Sequence, residues 1–215
     1  MSKPTQYLAD FELTTLIRRV TYPDSTQGWE PLWLQSGDSR GLAVFVSALD
    51  AEIYRQQAQV GGSLGWQRLP LARFDLLEHI KNLDGRLYCQ MVFGFGASMS
   101  GELAIRNGKP RVHLVPLPFE LATDTQPPIT FHFDAWVFNF MREQWALLSA
   151  PDYATQVERM NEATDTELAA TATHALRAVA HFNSTGEDPD WGVYAPEIGI
   201  WRFGPDELRQ KTNLH

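Results

Sequence analysis

The sequence predicts an α/β protein of the α+β kind, with a mixed sheet that contains an antiparallel hairpin and is flanked by helices, leading into a mainly helical acidic C-terminal half. Three observations predict it. Short apolar runs alternate with segments of helical spacing over the first 120 residues. Asn107-Gly108 separates two strand-like runs, and both residues tolerate the positive φ of a tight hairpin turn. Beyond Pro127-Pro128, helix-start signals precede long apolar-periodic segments.

Leu13, Leu16, Ile17 and Val20 follow helical spacing and predict a helix over 9–20. It ends at Tyr22-Pro23, because proline and the residue before it resist helix continuation. Pro31 to Leu34 reads as a short strand. Gly41 to Ser47 is a continuous apolar run suited to a buried strand, and Ser47 is placed to cap a helix over 48–60 that Gly61-Gly62 stops. Gln67 to Leu71 is extended, and Phe74 to Leu83 forms a second short helix. Arg86 to Phe93 is a strand that runs into a Gly/Ser-rich turn. Glu102 to Arg106 and Arg111 to Val115 are the arms of the hairpin.

Thr123 to Pro128 is the best linker, dividing the chain into a sheet-containing part, 1–122, and a mainly helical part, 123–215, packed as one unit. Asp134 precedes a helix over 135–148 that is apolar around most of its circumference, as a buried central helix would be. A further helix covers 152–162. Thr164 and Glu167 form a capping-box pattern that opens a helix reaching about Asn183. The segment 186–203 contains one strand, Ile198 to Phe203, and Pro205-Asp206-Glu207 fits the first turn of a final helix.

Net charge is −8, and its distribution is uneven. Residues 1–119 hold 11 acids and 12 Lys or Arg, whereas 120–207 hold 15 acids and only Arg142, Arg159, Arg177 and Arg202. Such a surface repels nucleic acid phosphates and anionic lipid, and favours a basic partner protein. The bland alternative is a well-solvated acidic surface. No stretch is long and apolar enough for a membrane span and no secretory signal is visible, so the expected compartment is the cytoplasm. The single Cys89 excludes an internal disulfide and a cysteine-based zinc cage.

Motifs for catalysis are incomplete. Gly94 to Gly101 follows a strand as a phosphate loop would, but Met99 stands where GxGxxG needs its third glycine, and no helix follows. Gly96 to Ser100 ends in Ser where a nucleophile elbow needs Gly. His174 and His181 fall on the exposed face of one predicted helix, two turns apart, without the spacing of a metal site. His132 and Asp134 are two apart and share a face if their segment is a strand; a surface His and a helix cap explain them equally. Cys89 lies in an apolar strand, where a buried inert thiol is expected. No cofactor and no metal are expected.

The tail offers the densest interaction chemistry. Glu187, Asp188, Asp190 and Glu197 interleave with Trp191 and Tyr194, the pattern of aromatic anchors ringed by acids that an Arg/Lys-rich partner would meet. Packing of these aromatics into the core is the competing account, and it is preferred for Trp201.

The N-terminal part resembles the N-terminal domain of the SseB family, named for enhanced serine sensitivity. The likeness rests on Phe11 to Val20, Gly41 to Ser47 with Asp50-Ala51, Leu69-Pro70-Leu71 and Phe74 to Leu83, and covers residues 8–120 at most. It implies an α/β fold and no established catalytic residues. In overall profile the chain is similar to bacterial toxin-immunity proteins, which are small, acidic and without catalytic motifs. The leading expectation is therefore a non-catalytic protein that binds a basic partner, in its most concrete form an immunity protein occluding a toxin. The alternatives are a hydrolase or transferase with a site near Gly94–Gly101 and His113 or His132, and a scaffold or assembly component.

Overall fold

A computed structural model describes residues 5–122, 124–186 and 190–205. Among these residues it is an α+β fold of five α-helices and a large mixed sheet. The axis of that sheet is strand β7 (Arg86–Ala97), buried without interruption from Cys89 to Ala97. Strand β5 (Ser39–Phe45) lies parallel along one edge of β7, and β10 (Val112–Glu120) lies antiparallel along the other. Where β5 turns away, β13 (Asp190–Ala195) takes over its edge, pairing antiparallel with Phe95, Gly96 and Ala97.

The remaining strands extend this frame. A hairpin joins β4 (Trp33–Ser36) to β5, and β2 (Thr14–Thr21) pairs with β3 (Gln27–Pro31), β5 and β6 (Trp66–Pro70). At the other end, β8 (Leu103–Arg106) meets β7, β9 (Lys109–Pro110) and β12 (His181–Asn183), and β14 (Ile200–Pro205) completes a hairpin with β13. A separate parallel ribbon pairs β1 (Thr5–Leu8) with β11 (Ile129–His132).

Helices cover both faces. Helix α1 (Ala48–Val60) packs with α5 (Asp165–Arg177) over one face, against Phe45, Val92 and Phe95. Helices α2 (Leu76–Asn82), α3 (Ala135–Leu147) and α4 (Tyr153–Asn161) contribute to the core on the other, against Cys89, Met91 and Phe93. Side chains of β7 alternate between the faces up to a register irregularity opposite Phe93, beyond which Phe95 joins Val92, so one strand feeds both cores.

Several expected elements stand where they were placed. Ser47 caps α1, accepting a hydrogen bond from the Asp50 N–H, and Thr164 caps α5 through the Glu167 N–H. Asn107 and Gly108 both take positive φ at the turn between β8 and β9. Others differ. The helix expected over 9–20 is strand β2: Thr14, Thr15, Ile17, Val20 and Thr21 are β-branched, and two neighbouring strands satisfy their backbone. The expected strand over 31–34 divides at Leu32 into β3 and β4. Helix α5 stops at Arg177 rather than near Asn183, because β8 offers an open edge to His181–Asn183. Among the described residues the C-terminal part interleaves four short strands with its three helices, and three of those strands join the sheet begun by the N-terminal part. Helix α3 is not buried all round, for Trp136 and Leu147 are more than half exposed. Asp206 and Glu207, assigned to a final helix, lie outside the described residues, and Pro205 ends β14.

Two contacts bind the C-terminal elements to the frame. The Trp191 ring lies on Gly94, where a Cβ would fall 2.7 Å from it. The Asn161 side chain accepts a hydrogen bond from the Ala48 N–H at 2.7 Å and donates to the carbonyls of Glu12 and Val46, each at 3.0 Å. Gly94→Ala is expected to cost about 2–3 kcal/mol through overpacking against Trp191, and Asn161→Ala about 2–4 kcal/mol through three unpaired backbone groups. Urea unfolding measures both. Unchanged midpoints would show that neither contact holds the fold.

Candidate functional site

Among the described residues, those singled out by sequence do not assemble into one site. Trp191 and Tyr194, expected as surface anchors, are buried, each 1% exposed. Trp191 stacks on His113 with ring centroids 4.6 Å apart and meets Phe93 edge-on at 5.4 Å. Tyr194 packs with Trp201, which donates from Nε1 to the Ala175 carbonyl. The reason is positional: β13 occupies an inner edge of the sheet, so both its faces are covered. Its run Trp191-Gly192-Val193-Tyr194-Ala195 has the continuous apolar character of such a strand, the signal that could have placed it. Asp190, at the start of β13, is partly exposed, and Glu187 and Asp188 lie outside the described residues.

The enzyme alternative meets similar geometry. Gly94 to Ala97 continue β7 rather than forming a loop, and the turn beyond them is closed by its own side chains, with the Ser98 and Ser100 hydroxyls donating to Glu102. His113 is enclosed by Trp191 and Phe93, whereas His132 is exposed at the end of β11 on the separate ribbon. His174 lies on α5 and His181 begins β12, so they do not share a helix. Burial pushes the Cys89 thiol up, away from reactivity at neutral pH. Among the described residues no group of three or more His, Cys, Asp or Glu is placed to hold a metal ion.

What the structure does bring together is an acidic and partly apolar surface at α4 and the β13–β14 turn. Glu158 on α4 and Glu162 at its C-terminal cap are one turn apart and exposed. Arg159 beside them is engaged by Glu197 of the turn at 3.0 Å. Next to Glu197 stands Ile198, 56% exposed, and Ile200 follows at 42%. Asp165 and Glu167 are also exposed, at the first turn of α5, where the helix dipole favours them. Asp165 meets Arg68, which also reaches Glu52. Of the predicted partner-binding residues that are described, only Glu197 falls on this surface.

Behind it lies a polar group that sequence reasoning did not single out. Asp50, on the first turn of α1, is fully buried and neither carboxylate oxygen has a hydrogen-bond partner among the described residues. Burial raises its pKa to about 7, and the nearby Tyr153 hydroxyl, which does not close a bond of normal geometry, pulls partly the other way. Burial, and after it the Asp50 carboxylate, push the Tyr153 phenol up. Among the described residues no helix is long and apolar enough to cross a membrane. No protein-family model, no curated protein and no solved structure matches the chain.

Asp50 sets a pH dependence of stability. Its folded pKa is raised, so its full contribution is present below the unfolded value near 4 and is lost as pH rises through about 7. The shift corresponds to at most about 4 kcal/mol. Asp50→Asn is expected to abolish this decline, with the variant more stable than the parent at pH 8. Parallel pH curves in thermal unfolding would exclude a neutral buried carboxyl.

Proposed function

We propose that this chain is a non-catalytic binding protein that holds a basic protein on the acidic surface of its C-terminal half, most concretely as an immunity protein that occludes a toxin. The observation that carries the reading is the surface of α4 and the β13–β14 turn, where Glu197 meets Arg159 of α4, between the exposed Glu158 and Glu162, and stands next to the exposed Ile198. The acids would speed and orient encounter with a basic partner. Ile198 and Ile200 would supply the desolvated centre that the sequence suggested for Trp191 and Tyr194. Inhibition would be steric, since a partner covered over this face loses access to its own target. The aromatic residues of the tail serve the reading indirectly, by fixing the turn that presents Glu197 and Ile198.

Co-purification from the native host supplies the partner, and binding is then measured across salt. Raising salt from about 50 to about 300 mM is expected to slow association about tenfold or more, with a smaller effect on dissociation. Glu158→Lys with Glu162→Lys should slow association, whereas Ile198→Asp should speed dissociation. A partner that is acidic, or association indifferent to salt, would overturn the proposal.

A further inference from the structure

A second face carries the opposite charge. Beside the acidic surface just described, the molecule has an open groove of about 930 Å³. It is bounded by β4 and its turn, Trp33 to Gly37, by the β8–β9 hairpin from Arg106 to Arg111, and by the first half of β10, Val112 to Pro116. Five residues of β10 give it a length of roughly 15 Å. Leu34, Val112 and Leu114 line it and pack against the core beneath.

The described lining residues include Arg106, Lys109 and Arg111, and no Asp or Glu. In a chain of net charge −8 this is the reverse of the average surface. Six cations outside the groove, Arg18, Arg55, Arg68, Arg86, Arg142 and Arg159, meet carboxylates. Arg106 and Lys109 form no ion pair among the described residues, and Arg106 is exposed. At the rim, the exposed Arg40 places its guanidinium 5.6 Å over the Trp33 ring.

The cationic wall is held in position. The turn between β8 and β9 rests directly on the end of α1, where a Cβ on Gly108 would lie 2.6 Å from Gly61 Cα. No side chain fits between these two glycines, so the hairpin carrying Arg106 and Lys109 is docked on the helix without an intervening cushion. Such preorganisation lowers the cost of binding.

The geometry points to this groove as the docking site for an acidic, extended peptide segment of a partner, with carboxylates on Arg106 and Lys109 and an apolar side chain against Trp33 and Leu34. Charge complementarity selects the occupant, since guanidinium groups bind carboxylates in bidentate fashion. The groove's volume and length exceed what a single inorganic anion fills. Strand addition is disfavoured as the mode of docking. Pro116 and Pro118 cannot donate to β7, and they alternate along β10, so they remove donors from its free edge. Recognition would therefore run through side chains. It is independent of the acidic surface proposed above.

The test is an array of heptapeptides with two Glu residues and Leu, Phe or Tyr elsewhere, against a matched array with Lys for Glu, using the full chain. The tightest acidic peptide is then titrated by calorimetry. Acidic peptides are expected to bind and their Lys counterparts to fail. Arg106→Glu with Lys109→Glu should weaken binding by roughly tenfold or more, and Trp33→Ala should weaken it less. Arg73→Glu with Lys81→Glu, which changes net charge equally away from the groove, should leave binding within about twofold. Circular dichroism and thermal unfolding establish that each variant folds, and Arg106→Gln with Lys109→Gln provides a milder pair. The proposal is overturned if acidic peptides show no advantage, if the groove variants bind as the parent does, or if inorganic phosphate competes as well as the peptide. Glu158→Lys with Glu162→Lys should not affect this binding, which separates it from the function proposed for the acidic face.

Discussion

The structure depends on β7 being covered on both faces and bonded along its length. A strand this buried needs a partner for every backbone group and a side chain against every methyl. Neither can come from a single neighbour, because β5 leaves the edge at Phe45 to begin α1. The vacancy at Phe95 to Ala97 is filled by β13, almost one hundred residues later in the chain. Gly94 is the steric counterpart of this arrangement, since the Trp191 ring occupies the volume its side chain would take. Gly94, the first glycine of the stretch that resembles a phosphate loop in the sequence, is thus explained by packing.

The same dependence shapes the polar interior. Where β5 passes into α1, Asn161 of α4 satisfies one donor and one acceptor of the junction itself and one acceptor of the segment before β2. One amide thereby does what an elaborate loop would otherwise have to do. Asp50, one turn into the same helix, is the opposite case. Its helix dipole favours a charge, yet desolvation dominates, because neither oxygen finds a donor among the described residues. A well-paired amide and an unpaired acid therefore sit at one junction, and the acid makes that junction sensitive to pH.

Charge is organised on a larger scale than ion pairs. Exposed acids stand on α4, on α5 and at the β13–β14 turn, and the groove beside β10 gathers Arg106, Lys109 and Arg111. A count along the chain detects the first because its residues are consecutive in helices. It misses the second, whose cations come from a short hairpin within a part of the chain that is nearly neutral on average.

The sequence by itself determined the α+β class, the start and end of α1, the Asn107-Gly108 turn, the caps at Ser47 and Thr164 and the overall acidity. These are local properties: a cap, a turn or a period is written within a few residues of where it acts. Only the tertiary structure decided that residues 14–21 are a strand, that α5 ends at Arg177, and that Trp191 and Tyr194 are core. For 14–21 the apolar spacing fits a helix, and the outcome rests on pairing with β3 and β6 on either side. For α5, no glycine marks the end, and the stop is set by an open edge on β8. For the two aromatics, the acids flanking them in sequence suggest a surface, while an inner position beside β7 buries them. In each case the deciding partner is distant in the chain, so its energy is absent from any local pattern.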